Sequence, residues 1–165
     1  MKPRQITLIG MPCAGKTIMG RALATKLVYD FIDLDEMVEK KEGNSLIEIM
    51  NTKGAEYFRN MECDFLKEIK PDQQVVISPA GSIIYQPEAM DWIVKNTTVI
   101  FLNTPFKIIE DCLATNPKAV QGLKERGLQS IWDERIPLYR KYASKVIDTA
   151  DKTIPEIVEE IIKNF

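Results

Sequence analysis

The chain has 165 residues, of which 45% are hydrophobic and 28% charged, a balance typical of a globular protein with one core; we expect a single domain over residues 1–165. Its formal net charge of −2 argues against nucleic acid as the main partner. The chain contains no histidine, and its three cysteines lack CxxC spacing. The usual zinc centre, a histidine-dependent nucleophile and a disulfide scaffold are therefore excluded.

The sequence also shows no pattern expected of a membrane span or an export signal. No apolar stretch approaches the roughly 20 residues that span a bilayer. The first strand-like segment begins too close to the first residue to leave room for a cleavable signal. We therefore expect a cytoplasmic protein that has no membrane partner and acts as a monomer.

Short apolar segments alternate along the chain with longer amphipathic ones. Periodicity predicts strands at Gln5–Ile9, Tyr29–Ile32, Val75–Ile77, Thr98–Leu102 and Val146–Asp148, and helices at Thr17–Leu27, Leu34–Lys41, Ser45–Asn51 and Ala55–Lys70. This alternation predicts an α/β fold of three layers, α/β/α, around a parallel sheet of about five strands. Ligands of such folds bind at the carboxyl ends of the strands.

The segment 116–128 interrupts this rhythm. It contains Pro117 and two glycines, and it carries the cations Lys118, Lys124 and Arg126. It shows no sustained helical period, so we expect a mobile basic lid. The alternative is a loop with solvated surface charges.

The segment Gly10–Thr17 reads GMPCAGKT and fits the phosphate-loop motif G-x-x-x-x-G-K-[ST] without a mismatch. It follows a predicted strand and opens a predicted helix, so its backbone N–H groups can surround phosphates. Lys16 would reach the β- and γ-phosphates of ATP, and Thr17 would bind Mg²⁺. The predicted nucleotide-binding residues are Gly10, Met11, Pro12, Cys13, Ala14, Gly15, Lys16, Thr17 and Ile18. The alternative is a glycine turn with an incidental lysine.

Two carboxylates, Asp33 and Asp35, lie two residues apart at the end of the second predicted strand. If that segment is extended, both point toward the crevice where ligands bind. One would lie near the metal and the other would accept the proton of the attacked hydroxyl. The alternative is a solvated helix start with Asp33 as its N-cap.

Four blocks together resemble the shikimate kinase family, small P-loop kinases with the nucleoside monophosphate kinase-like fold. They read GMPCAGKT, FIDLDEMVEKKEGNSLIEIMNTKGAEYFRNME, VVISPAGSIIY and ERIPLYRKYASKVIDT. The resemblance implies an ATP- and Mg²⁺-dependent transfer of the γ-phosphoryl group to a hydroxyl of a small polyhydroxy acid, shikimate first, in aromatic amino acid biosynthesis. Two kinds of protein remain as alternatives: a kinase of the same fold acting on another acid or sugar such as gluconate, and a nucleotide-binding paralogue without catalysis.

The resemblance also assigns roles to individual residues. It places Asp33 near the metal and Asp35 on the hydroxyl that receives the phosphate. It implies that Arg59 and Arg135 bind the substrate carboxylate, as a guanidinium can do bidentately. The acceptor would rest on Ala80 and Gly81, and the lid cation Lys118 would act in catalysis.

Three positions depart from the family pattern. Pro79-Ala80-Gly81 stands where the family carries three glycines, and Lys118 stands for an arginine of the lid. Cys112 lies near the position of an arginine that packs against adenine in the family. We therefore expect a differently shaped acceptor floor and altered contacts with the nucleotide.

Overall fold

The computed structural model describes residues 2–165, in which strands and helices alternate. The strands are β1 (Gln5–Ile9), β2 (Asp30–Asp33), β3 (Val75–Ser78), β4 (Thr98–Asn103) and β5 (Lys145–Asp148). The helices are α1 (Lys16–Leu27), α2 (Leu34–Glu42), α3 (Leu46–Lys53), α4 (Ala55–Lys67), α5 (Pro87–Asn96), α6 (Phe106–Thr115), α7 (Leu123–Tyr142) and α8 (Ile154–Lys163), with a 3₁₀ helix at Gly81–Tyr85. Within residues 2–165, no helix has both the length and the apolar character needed to cross a bilayer.

The five strands form one parallel sheet in the order β2-β3-β1-β4-β5. β1 lies at the centre and pairs with both β3 and β4. The chain therefore winds outward in both directions from β1, and a crevice opens at its carboxyl end, as expected at a topological switch point. The predicted α/β fold and the sheet of five strands are confirmed.

Helices cover both faces of the sheet, and a large apolar cluster lies on each face. One apolar cluster packs Ile77 and Phe101 of the sheet against Tyr139 of α7. The other packs Leu8 against α1 and α8. β1 and β3 are buried along their whole length, which explains why they read as continuous apolar segments rather than alternating ones.

At two places that matter for the site, the structure decides what the sequence pattern left open or missed. The second strand ends at Asp33 and α2 begins at Leu34, where the predicted helix begins, so the condition of an extended chain through Asp35 is not met. The segment expected to lack helix is irregular only from 116 to 122, because α7 begins at Leu123. Gly127 interrupts α7 with φ 75° and ψ 159°, a backbone conformation that favours glycine. Because the helix is broken there, residues 123–128 show no continuous helical period in the sequence.

Candidate active site

A cavity of about 320 Å³ opens at the carboxyl ends of β1 and β3, beneath the segment 116–122. Its volume lies within the range of small-molecule sites. Residues from seven parts of the chain line it, including Cys13, Lys16, Thr17, Asp35, Met50, Phe58, Ala80, Gly81, Lys118, Gln121 and Arg135.

The phosphate loop forms one wall of this cavity. Cys13 and Gly15 adopt positive φ angles of 67° and 86°, which fold the loop back before α1. No side chain caps the start of α1, so its first N–H groups are available to an anion. The Lys16 ammonium donates hydrogen bonds of 2.9 Å to the carbonyls of Gly10 and Met11. Burial lowers the pKa of Lys16 to about 8, although the nearby carboxylates of Asp35 and Asp33 oppose this shift.

Asp33 caps α2, as the alternative interpretation expected, and it also bonds the last residue of the phosphate loop. Its Oδ1 accepts a hydrogen bond from the Glu36 N–H at 3.2 Å and so caps α2. Its Oδ2 accepts one from the Thr17 hydroxyl at 2.5 Å. The capping bond therefore fixes the carboxylate beside the end of the phosphate loop.

The Thr17 and Asp33 oxygens also suit a magnesium ion. Magnesium prefers oxygen ligands and usually keeps several waters, taking one or two protein ligands beside substrate phosphates. Residues 2–165 contain no group of three or more acidic, cysteine or histidine side chains able to enclose a metal. Any Mg²⁺ here would therefore depend on the nucleotide for part of its coordination.

Asp35 reaches the cavity from the first turn of α2, not from an extended strand. Its Oδ1 is buried and has no hydrogen-bond partner. Burial, and then the charge of Asp33, raise the pKa of Asp35 to about 7, against the opposing charge of Lys16. A carboxyl group with this pKa can exchange a proton near neutral pH.

Arg135 projects into the cavity from the middle of α7 and is 1% exposed. Two of its nitrogens, Nε and Nη2, have no hydrogen-bond partner. Its guanidinium lies 5.3 Å from the centre of the Tyr85 ring. A buried guanidinium with unused donors is suited to a planar anion such as a carboxylate.

Arg59 lies on α4 and is not among the residues that line the cavity, but its Nη1 donates a hydrogen bond to Gln121, which does line it. Its buried Nε has no partner. The carboxylate of Glu134 pairs with neither of these two arginines but with Arg126, at 2.8 Å. Gln121, which the sequence did not single out, thus joins the lid segment to α4.

Glu62 is a second site residue that sequence reasoning missed. It is fully buried, and its Oε1 accepts a 2.7 Å hydrogen bond from the Ala80 N–H, while Oε2 has no partner. Burial, and then the charge of Asp35, raise the pKa of Glu62 well above its ordinary value. Its spacing could have identified it, since it follows Arg59 by three residues and so lies on the same helix face.

Ala80 and Gly81 form the floor between the phosphate loop and α7. A Cβ added to Gly81 would lie 2.9 Å from Cδ of Pro12 and 3.1 Å from Nη1 of Arg135. The carbonyl of Gly81 also accepts a 2.7 Å hydrogen bond from the buried Tyr139 hydroxyl. Position 81 therefore has no room for a side chain, whereas position 80 accommodates a methyl group.

The three cations of the lid segment occupy different surroundings. Lys118 lines the cavity, and its charge opposes the rise in the pKa of Asp35. Lys124 lines a neighbouring groove between the lid segment and α3. Arg126 pairs with Glu134 on its own helix.

Cys13 and Cys112 form a disulfide, with their Cα atoms 6.1 Å apart, and both line the cavity. Cys63 is free and buried. The sequence excluded a disulfide scaffold but did not predict this pair, whose members are separated by 99 positions. α6 packs beside the phosphate loop and brings them together.

Comparison with known proteins gives consistent results. The family profile described as Shikimate kinase matches residues 12–165. The shikimate kinase of Caldanaerobacter subterraneus subsp. tengcongensis is 33% identical over 98% of this chain and 96% of its own length. The structure of shikimate kinase from Acinetobacter baumannii in complex with shikimate has a TM-score of 0.87 at 28% identity, covering 99% of this chain and 93% of that chain. A gluconokinase from Sinorhizobium meliloti, with a TM-score of 0.58 and 17% identity over 98% of this chain and 90% of that chain, shares the fold.

Proposed function

This chain belongs to the shikimate kinase family, and we propose that it transfers the γ-phosphoryl group of ATP to a hydroxyl of shikimate, forming shikimate 3-phosphate. One observation carries the proposal. Lys16, Asp35 and Arg135 line a single cavity, so a phosphate-binding cation, a proton acceptor and a carboxylate-binding guanidinium face the same small volume.

The phosphate loop would bind the nucleotide. The free N–H groups at the start of α1 favour the β-phosphate through hydrogen bonds and the helix dipole. Lys16, now bonded to two carbonyls of its own loop, would turn its ammonium toward the β- and γ-oxygens. Thr17 and Asp33 would hold Mg²⁺, which neutralises charge on the phosphates.

The opposite wall would bind the acceptor. Arg135 has unused donors for a carboxylate, and Arg59 would contribute a second guanidinium from α4. Glu62 accepts a hydrogen bond from the Ala80 N–H and so fixes the floor on which the acceptor ring would lie. Asp35 would then accept the proton of the attacking hydroxyl, since its ionised form is populated near pH 7.

The segment 116–128 would act as a lid over both ligands. Lys118 is the lid cation that faces the cavity, and we propose that it contacts the γ-phosphate in the transition state. Arg59 donates one hydrogen bond to Gln121 of the lid segment, so binding of the acceptor carboxylate at Arg59 would change a contact that holds the lid. Water would be excluded when the lid closes.

The test is ADP release measured with shikimate, quinate, gluconate or no acceptor. We expect turnover with shikimate well above the rate without acceptor. Lys16→Ala, checked for folding by circular dichroism, should keep less than about a tenth of that turnover, a loss of over ~1.4 kcal/mol of transition-state stabilisation. Turnover with gluconate alone would indicate the second acceptor class, and binding of ATP without turnover on any acid would indicate a paralogue without catalysis.

Gluconate is the weaker candidate because the likeness to the gluconokinase extends to the fold alone. The buried Arg135 favours an acceptor that carries a carboxylate on a rigid ring, since a rigid ligand loses less conformational entropy when it binds a fixed guanidinium. We further propose a monomer, because one chain supplies all the residues of the cavity. A cytoplasmic location fits a reaction that consumes ATP.

A further inference from the structure

The disulfide between Cys13 and Cys112 joins two parts of the nucleotide half of the cavity. Cys13 lies in the phosphate loop, and Cys112 lies in the last turn of α6. The carbonyl of Cys112 accepts a 2.7 Å hydrogen bond from the N–H of Asn116, the first residue of the lid segment. The bridge therefore ties the phosphate loop to the base of the lid.

The fold does not need this bridge. Disulfides are needed chiefly by chains below about 40 residues, which cannot build a sufficient core, whereas this chain buries two large apolar clusters on the faces of its sheet. The loop is also held by other bonds, since the Thr104 hydroxyl donates to the carbonyl of Ala14 at 3.4 Å and the Ala14 N–H donates to Met11 at 3.0 Å. The main consequence of the bridge is therefore for the shape of the cavity, which both cysteines line.

We propose that Cys13 and Cys112 form a reversible thiol–disulfide site that controls nucleotide binding, with the bridged form binding ATP more weakly than the dithiol. The inference rests on the nucleotide site of the proposed function. A layer of ligand atoms between two backbones needs about 7 Å, twice the ~3.5 Å contact distance of heavy atoms. The bridge keeps the two Cα atoms at 6.1 Å, so no nucleotide atom can lie between the phosphate loop and α6 at this point, and the two cannot move apart, until the bond is reduced.

The oxidant would be a small disulfide such as oxidised glutathione. One cysteine thiolate attacks a sulfur of that molecule, forms a mixed disulfide and releases one small thiolate. The second cysteine thiolate then attacks the first cysteine's sulfur, closes the bridge and releases the second small thiolate. The protein loses two electrons and two protons, and the small disulfide is reduced to two thiols.

The surroundings of the cysteines favour this exchange at one pair only. Cys13 and Cys112 are half-buried and line an open cavity, so a small reagent can reach them. Cys63 is buried in the core, and burial raises the pKa of its thiol, which lowers its reactivity. Cys63 is therefore the internal control.

The experiment measures the dissociation constant of AMP-PNP with Mg²⁺ by calorimetry, on the full chain in the oxidised and the reduced form. Thiol counting after denaturation and intact mass establish that the oxidised form carries the bridge and no glutathione. We expect the oxidised form to bind at least about fivefold more weakly, the lower end of typical coupling between sites. Cys112→Ser should have the same dissociation constant under oxidising and reducing conditions. In Cys63→Ser, the difference between the two conditions should persist.

Linkage supplies a second readout that requires neither turnover nor a variant. If oxidation weakens AMP-PNP binding fivefold, saturating AMP-PNP must favour the dithiol by the same factor. The midpoint potential of the pair should then rise by about 21 mV, at 29.6 mV for each factor of ten in a two-electron couple. This redox titration uses the wild-type chain, so a variant that fails to fold does not block the test.

Equal affinity of the two forms with an unmoved midpoint potential would overturn the redox control and leave the proposed kinase activity intact. A bridge that resists reduction in the folded protein would overturn it too, because the pair would then be a structural link. Failure of AMP-PNP to bind either form would overturn both the control and the nucleotide site.

Discussion

The carboxyl group of Asp35 is costly to ionise inside the cavity, and Asp35→Asn should expose that cost. Burial, and then the charge of Asp33, raise its pKa from an ordinary 3.8 to about 7. The folded chain therefore binds this proton more tightly than the unfolded chain. The resulting stabilisation is complete below pH 3.8 and is lost as the pH rises through about 7.

The size of the effect follows from the distance between the two pKa values. The difference of 7 minus 3.8 is 3.2, and at about 1.4 kcal/mol for each pH unit the ionised carboxylate costs the fold about 4 kcal/mol above pH 7. The variant regains less than this full cost, because removing the Asp35 charge also removes an interaction that favours the charged form of Lys16. We therefore expect Asp35→Asn to stabilise the chain by about 2 kcal/mol at pH 8, which raises Tm by about 4–8 °C for a protein of this size.

The assay is thermal unfolding of the wild type and Asp35→Asn near pH 5 and pH 8, together with kcat at pH 8. The gain in Tm should be larger at the higher pH, while kcat falls because the attacking hydroxyl loses its proton acceptor. The exposed Asp91 on α5 is the matched control, and Asp91→Asn should change neither quantity. A gain in Tm that is the same at both pH values would refute the buried, proton-linked carboxyl group, and an unchanged kcat would refute its role in transfer.

Three further predictions concern the two ends of the cavity. Lys118→Met should lower kcat at saturating substrates by about tenfold, the scale of a lost charged transition-state contact, while Lys118→Arg preserves or raises it; Lys124→Met, outside the cavity, should have no effect. Arg59→Ala should raise KM for the acid and leave KM for ATP little changed, and Gln121→Ala should raise KM for the acid less, because it removes only the lid contact. Gly81→Ala should destabilise the fold by about 1–3 kcal/mol, measured by urea unfolding, because its Cβ would crowd the phosphate loop and Arg135.

Each of these has a contradicting outcome. Equal kcat for Lys118→Met and wild type would mean that the lid cation is misassigned or that the segment is a surface loop. A rise in KM for ATP alone in Arg59→Ala would show that the acceptor lies elsewhere. Wild-type stability of Gly81→Ala would show that the phosphate loop can move away from the floor.

The sequence alone determined the features that depend on residues close together along the chain. The phosphate loop is one continuous motif between an apolar strand and a helix, so GMPCAGKT and its context sufficed to predict it. The parallel sheet followed from the alternation of apolar and amphipathic segments, because the period of a strand or helix is local. The sequence placed Asp35 at the cavity only on the condition of an extended segment; the chain is helical from Leu34, and the first turn of α2 directs the carboxylate there.

Tertiary structure alone decided the contacts between distant segments. Cys13 meets Cys112, Gln121 meets Arg59, and Glu62 meets the backbone of Ala80 across separations of 99, 62 and 18 positions. No local period predicts such pairs, because the crossover helices of a parallel sheet set which segments become neighbours. The unusual features of this site therefore became visible only once the chain was folded.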